Sequence, residues 1–401
     1  MPTLTSAPNR YAVIPALGIT QILAWGSSYY LLAVLAVPIA DDTGWSLSWI
    51  VGGLSIGLLM SGAVSPRVGR LIERRGGRTA LILSAVFLSL GLAITGIAPN
   101  LIVYIFAWVL IGLGMGFGLY DPAFSTLARL YGTEARSAIT ALTLFGGFAS
   151  TVCWPLSAYL TAQFGWREAC LIYAAIHAGI TLPIYILALP NDDDDAAQRP
   201  SALTPKDHRP TSKPDSLMFA FLALVFAVGS LISAALSVHL LTILQGHGLS
   251  LAVAVGLGTL VGPSQVGARF IEMLIGHRHH SVWTKIASTL LVAAGLGMLW
   301  SDVSIASVAL IAYGAGIGLD SIARGTVPLS IYGAQRYPSV MGKLAVGNLL
   351  AQAIMPVAGA YLIGALGAQT TLGFLAAAAT LNVAATGVVY ALIKRAPIKS
   401  A

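Results

Sequence analysis

Apolar residues gather into twelve stretches, at about 12–39, 46–65, 79–98, 101–128, 137–162, 168–189, 217–244, 250–273, 283–300, 304–330, 343–364 and 371–393, with polar residues crowded between them. Each is about long enough to cross a bilayer, which takes roughly 20 mostly apolar residues in helical form. No water in the hydrocarbon core satisfies a bare backbone group, so each stretch is predicted to be a helix. The pattern predicts an all-α membrane protein of twelve transmembrane helices. Six lie on each side of one long polar segment, as two pseudo-symmetric six-helix bundles. The first stretch is too long for a signal-peptide core and no small-residue cleavage site follows it, so it is predicted to be retained.

Composition narrows this further. Hydrophobic residues make up 57 % of the chain, charged residues 9 %, and the mean hydropathy is +0.82, where a soluble domain carries about 25 % charge. With both termini inside, 21 of the 22 Lys and Arg fall in inner loops, termini or the inner parts of spans, and Arg167 alone falls outside. That bias sets the orientation expected of a bacterial inner-membrane protein with both ends cytoplasmic. The formal charge of +7 then reflects topology and attraction to the inner leaflet, not nucleic-acid binding. Cys153 and Cys170 both lie within spans, so neither a disulfide framework nor a zinc site is expected.

The organisation reads as an N-terminal bundle over 1–190, a cytoplasmic linker over 191–216, and a C-terminal bundle over 217–401. The linker, from Asn191-Asp192-Asp193-Asp194-Asp195 through Pro214, is polar and Pro-rich and is expected to be a tether. The halves repeat each other. Leu113-Gly114-Met115-Gly116-Phe117-Gly118-Leu119 matches Tyr313-Gly314-Ala315-Gly316-Ile317-Gly318-Leu319, a shift of 200 residues, and Ala158-Tyr159-Leu160 matches Ala360-Tyr361-Leu362. Glycines at such spacing also serve helix packing, but the ordered series of matches predicts a duplicated six-helix unit. Such a repeat places a substrate site between the halves near mid-membrane, with rocking of the halves giving alternating access.

Between the second and third spans stands Gly69-Arg70-Leu71-Ile72-Glu73-Arg74-Arg75-Gly76-Gly77-Arg78. This resembles the signature loop of the major facilitator superfamily: Gly, three residues, an acid, Arg, one residue, Gly, then basic residues. Glu73 stands where Asp is usual. The resemblance implies a gate on the inner side made by Gly69, Glu73, Arg74 and Arg136; the alternative is that the arginines only set topology. Gly44-Trp45-Ser46, the run of Tyr131, Arg136, Ala138 and Gly146-Gly147, and Gly165-Trp166-Arg167 are similar to bacterial members of the monocarboxylate and oxalate porter branch. That narrower resemblance implies that Arg269 meets a substrate carboxylate. Gln265 stands where the branch has an acid one turn earlier, and the first span has no lysine, which puts the branch's proton coupling in doubt.

Ionisable residues within spans are costly, so each is a functional candidate. Arg269, with its planar fork, suits a carboxylate; the alternative is an ion pair with Glu272 or Asp320. Asp320, Glu272 and His239 are candidates for proton coupling, with Asp320 also placed to pair with Arg324 one turn on. Trp25, Tyr29, Ser233, Gln265 and Asn348 offer ring surface and hydrogen bonds to a solute. Asp121 precedes Pro122 and is expected to pair with Arg129 or Arg136. His277-Arg278-His279-His280 resembles a metal tract, but adjacent loop residues make a poor cage, so no metal site is expected.

No phosphate-binding loop and no catalytic constellation occurs, so neither ATP coupling, nor an enzyme, nor a cofactor is expected. The reading is a secondary transporter working as a monomer in the bilayer on a small organic anion, monocarboxylate-like, with protons as the candidate coupling ion. The alternatives are efflux of a drug-like or toxic compound or metalloid, and a membrane sensor that does not transport.

Overall fold

The computed structural model describes residues 9–190 and 216–395. The linker expected over 191–216 lies, apart from Ser216, outside the described residues. Among the described residues every regular element is a helix, and ten helices are long and apolar enough to cross a membrane.

Several expected spans are interrupted. The first apolar stretch forms α1 (Arg10–Gly26) and α2 (Leu32–Thr43). Between them the Ser28 hydroxyl donates to the Ala24 carbonyl at 2.5 Å, and the Tyr30 amide reaches back to Trp25 at 3.0 Å. Helix α3 (Leu47–Arg75) starts on Ser46, whose hydroxyl accepts from the Trp49 amide, a capping bond that satisfies one of the free first-turn donors. Then follow α4 (Arg78–Ile97), α5 (Leu101–Gly118) and α6 (Tyr120–Tyr131). Leu119 turns extended between the last two, and Pro122, which has no amide hydrogen to give, sits in the first turn of α6.

Helices α7 (Ala135–Gly147) and α8 (Ala149–Phe164) come next, and α9 (Trp166–Ile176) continues through a π-helical turn at His177–Thr181 into α10 (Leu182–Ala188). Beyond the linker lie α11 (Ser216–Gly246), α12 (Leu251–Gly258), α13 (Val261–Ile275), α14 (Ser281–Ser301), α15 (Ala306–Leu366) and α16 (Ala368–Arg395). Helix α15 covers two of the expected spans. It leaves helical geometry at Gly333, whose φ of 69° and ψ of 161° suit a residue without a Cβ.

The chain forms two compact units. The first comprises residues 9–190 together with Tyr332–Ala353. Its core centres on Tyr104 and Trp108, both fully buried, and the Tyr104 hydroxyl donates to the Ile50 carbonyl at 2.9 Å. At one end Trp166 Nε1 donates to Asp42 at 3.0 Å, while Arg167 donates to the carbonyls of Gly96 and Ala98 at 3.2 and 3.0 Å. The second unit comprises residues 216–331 and 354–395. Leu236, Leu244, Leu296, Leu310, Leu372 and Leu375 are buried in its core. Large apolar side chains such as Ile102, Leu187, Val357 and Leu381 are exposed, as surfaces facing lipid tails must be.

Candidate functional site

The buried charges of the second unit come together. Arg269 and Glu272, one turn apart on α13, are each only 5 % exposed. Arg269 donates through Nη2 to the Ser321 hydroxyl at 2.9 Å and through Nε to the Gly318 carbonyl at 3.4 Å. Glu272 accepts from the Thr284 hydroxyl at 2.6 Å and faces His279 at 3.5 Å. One helix away, Lys285 of α14 is ion-paired with Asp320 of α15. Its ammonium lies 4.9 Å from the centre of the Phe226 ring, and Ser288 donates to the same carboxylate at 3.3 Å. Arg324 stands one turn beyond Asp320. Within the membrane segments of α13, α14 and α15 up to residue 330 there are thus three cations, Arg269, Lys285 and Arg324, and two acids, Glu272 and Asp320; three less two leaves one positive charge.

The first unit shows what the same scaffold looks like without these charges. There Gly112 packs against Gly57 and Gly116 against Ser61, while in the second unit Gly314 packs against Val261 and Gly318 against Gln265. Likewise Gly114 meets Leu88 where Gly316 meets Val292, and Gly91 meets Ala107 and Ile111 where Gly295 meets Ala309 and Tyr313. These contacts pair α5 with α15 at a shift of 202 (112 to 314, 116 to 318), and α3 and α4 with α13 and α14 at 204 (57 to 261, 88 to 292). The glycine run itself matches at a shift of 200 in sequence. A run of period two fits equally well when slipped by two, and packing rather than letter identity fixes the seat.

By these shifts Arg269 occupies the seat of Ser65, Glu272 that of Val68, Lys285 that of Leu81, Asp320 that of Gly118 and Arg324 that of Pro122. Ser288 falls on Ser84, and Ser84 does touch the position where a Gly118 side chain would begin. Five uncharged seats in one unit are therefore charged in the other.

The expected gate residues lie in the first unit. Gly69 on α3 is buried against the 332–353 segment: a Cβ there would stand 3.1 Å from the Pro338 carbonyl carbon and 3.2 Å from the Gly342 Cα. Ser65, Gly69, Asp121, Ser125, Pro338 and Gly342 line a small recess at this contact. The Glu73 carbonyl accepts from Arg129. Arg74 is exposed in the last turn of α3, and Arg136 is half-buried on α7. The structure thus joins Gly69 to a partner segment that the sequence alone does not name.

Other expected residues are scattered. Trp25 and Tyr29 belong to a chain of rings in the first unit: Trp25 meets Tyr29 at 5.4 Å and Tyr120 at 5.0 Å, Tyr29 meets Tyr30 at 5.3 Å, and Tyr30 meets Trp154 at 6.1 Å. Asn348 is buried in that unit, and its amide oxygen has no hydrogen-bond partner among the described residues. In the second unit Ser233 gives its carbonyl to Ser237, Gln265 backs onto Gly318, and His239 bonds through Nε2 to the Pro356 carbonyl at 2.9 Å. His280 caps α14 by accepting from the Val282 amide, which, with His279 turned to Glu272, gives two members of the histidine tract structural partners.

Lys285 was the buried charge hardest to single out in sequence. It sits four residues into α14, where an inner-end lysine reads as a topology signal. A signal was present: Lys285, Ser288 and Thr289 share one helical face, an unusual polar stripe in an apolar span.

A sequence model of the Major Facilitator Superfamily matches residues 17–319. Monocarboxylate transporter 11 of Mus musculus is 32 % identical over 168 residues, covering 39 % of this chain and 36 % of that protein. Monocarboxylate transporter 14 of Homo sapiens is 34 % identical over 162 residues, covering 39 % and 30 %. The chain thus spans about a third of the length of these curated relatives (36 % and 30 %). Among solved structures, the human organic anion transporter MFSD10 shares the fold with a TM-score of 0.73 at 16 % identity, covering 94 % of this chain and 100 % of that one.

Proposed function

The chain belongs to the Major Facilitator Superfamily and is a multi-pass membrane transporter, not an enzyme, and from that premise we propose that it moves a small organic anion, monocarboxylate-like, by alternating access with protons as the coupling ion. One observation carries the anion reading: the charges within α13, α14 and α15 up to residue 330 sum to one positive charge, on seats that the first unit fills with Ser65, Val68, Leu81, Gly118 and Pro122. Packing does not require those charges, since the same contacts form without them. Charges in a span are costly, and an anionic solute offsets the net positive charge of these segments. The names of the relatives, monocarboxylate and organic anion transporters, support the same reading.

In this proposal Arg269 holds the solute carboxylate, with Gln265 beside it and hydrogen bonds or ring surface from Trp25, Tyr29, Ser233 and Asn348. Asp320, Glu272 or His239 takes the coupling proton. Gly69, Glu73, Arg74 and Arg136 form the gate. The finer architecture is proposed as twelve crossings, with α1 and α2 together making one and α15 making two. The bundles span 1–190 and 217–401, joined by a cytoplasmic linker over 191–216. The protein is proposed to work as a monomer in the bacterial inner membrane with both termini cytoplasmic.

A second reading, efflux of a drug-like or toxic compound or metalloid, is favoured by the chain of rings from Trp25 to Trp154, which offers apolar surface without charge. Flux in proteoliposomes containing a pH-sensitive dye, challenged with acetate, lactate, pyruvate and benzoate, separates the two. Solute-dependent proton movement that Arg269→Gln abolishes is expected. Silence towards every acid, in dye and labelled-solute assays alike, sinks the anion reading and leaves efflux.

A further inference from the structure

Lys285 has no part in the transport cycle above, yet its placement is unusual. It fills the seat of Leu81 and its side chain is 2 % exposed, whereas the Asp320 carboxylate that neutralises it is 24 % exposed. An ammonium so buried requires an anion beside it at all times, because breaking a buried pair leaves an uncompensated charge. Asp320 is the member of the pair within reach of the accessible space, so the pair opens from the acid side.

The surroundings of Asp320 are polar and adjustable. Ser288 of α14 donates to it at 3.3 Å. Gly229 of α11 leaves room: a Cβ there would lie 3.7 Å from Asp320 Oδ2 and 3.8 Å from Asn382 Nδ2 of α16. Asn382 is 5 % exposed, and its amide oxygen has no hydrogen-bond partner among the described residues. The charged groups facing the pair are Arg269 from α13, bonded to Gly318 and Ser321 on either side of Asp320, and Arg324 one turn along α15. Helices α11 and α16 contribute Phe226, Gly229 and Asn382, none of which titrates.

Resting on the anion reading, we propose that Lys285 is a second binding cation for the solute and that Asp320 is a tethered carboxylate holding its place. An arriving carboxylate displaces Asp320 from Lys285. The displaced acid, now beside a second anion, takes a proton on its carboxylate and turns its new O–H towards an acceptor such as the Asn382 amide oxygen. One anion and one proton are added, so the charge of the cluster is unchanged. Departure of the solute returns Asp320 to Lys285 and releases the proton. Lys285 thereby sets affinity, and Asp320 sets both affinity and the rate of release.

The test uses the full chain in proteoliposomes with the four acids named above. Asp320→Asn removes the competing charge while keeping the shape, and is expected to lower KM by about tenfold or more, lower kcat, and abolish solute-linked proton movement; the KM change is the size expected for one charge-assisted hydrogen bond. Lys285→Leu, which restores the residue of the equivalent seat, is expected to raise KM by a similar factor. Opposite shifts in KM are the signature, since a merely structural pair would impair both variants alike. If Asp320→Asn fails to fold, Lys285→Leu alone decides: an unchanged KM overturns the proposal. Unmodified protein that carries an acid, with variants that keep its KM, overturns this inference only. Unmodified protein silent towards every acid overturns the anion reading and this inference with it.

Discussion

The C-terminal halves of α3 and α13 occupy equivalent seats and have been put to opposite uses. In the first unit Ser65, Val68 and Gly69 make a thin face, and at Gly69 the backbone of Pro338 and Gly342 comes close enough to exclude any side chain. In the second unit the seats of Ser65 and Val68 hold Arg269 and Glu272, buried but bonded to Ser321, Gly318 and Thr284. The seat of Gly69 (69 to 273 by the same shift) is Met273, which is 39 % exposed. One helix is built for close backbone approach and the other for charge. The duplicated scaffold tolerates either, which is why the charges point to a task beyond folding.

The largest effect that would sharpen this contrast comes from unbalancing the charged side. Asp320→Gly copies the first unit's Gly118 but strands the Lys285 ammonium, and should destabilise by about 3–5 kcal/mol; thermal unfolding in detergent measures it. The double variant Lys285→Leu/Asp320→Gly should recover much of that loss. A double variant whose cost equals the sum of the two singles would mean that the pair is not coupled.

Next comes the thin side. Gly69→Leu forces a side chain into the Pro338 carbonyl and Gly342, and an overpacked core loses about 1–3 kcal/mol. Transport should fall with it, whereas Met273→Leu should leave both stability and flux near those of the parent. Equal sensitivity at the two positions would erase the contrast.

A smaller effect is expected for the buried hydroxyl of Tyr104, which holds Ile50 across α3 and α5. Tyr104→Phe should cost about 1 kcal/mol without changing which solutes are carried, read as a fall in the unfolding midpoint with an unaltered flux profile.

The smallest lies outside the membrane segments. Asp302, fully exposed between α14 and α15, accepts from the Ser304 hydroxyl at 2.7 Å and the Ser304 amide at 2.8 Å. These bonds hold its carboxyl below the usual carboxylate range. Because the folded value is depressed, the contribution is present above the ordinary range near pH 4 and fades as pH falls through the lowered one. Asp302→Ala should therefore lower the unfolding midpoint slightly at neutral pH, and the gap should close in acid.

An all-helical, multi-pass membrane protein was legible from hydropathy alone, because a bilayer demands long apolar helices whatever the side chains do; among the described residues ten helices meet that demand, against the twelve expected spans. Helix interruptions were not. The break at 27–31, where the Tyr30 amide reaches back to Trp25, and the departure at Gly333 in one dihedral pair leave hydropathy unchanged. Gly69 was singled out in sequence as part of an inner gate, but the segment it packs against, some 270 positions along the chain, could not be read from the loop. The repeat was visible, while its register was not, since Gly114-Met115-Gly116 and Gly316-Ile317-Gly318 fit at either shift. Arg269 and Asp320 stood out as charges in spans. Lys285 did not, because near an inner end a lysine has a simpler reading, and only the buried contacts with Phe226 and Asp320 remove it.

The most direct measurement gives the second unit the first unit's side chains at four of the five seats: Arg269→Ser, Glu272→Val, Lys285→Leu and Asp320→Gly in one protein, assayed for unfolding and for acid flux in proteoliposomes. If the charges serve transport, this variant folds with an unfolding midpoint close to that of the parent and carries no organic anion. Undiminished anion flux, or failure to fold despite the joint removal of Arg269, Glu272, Lys285 and Asp320, would contradict the account.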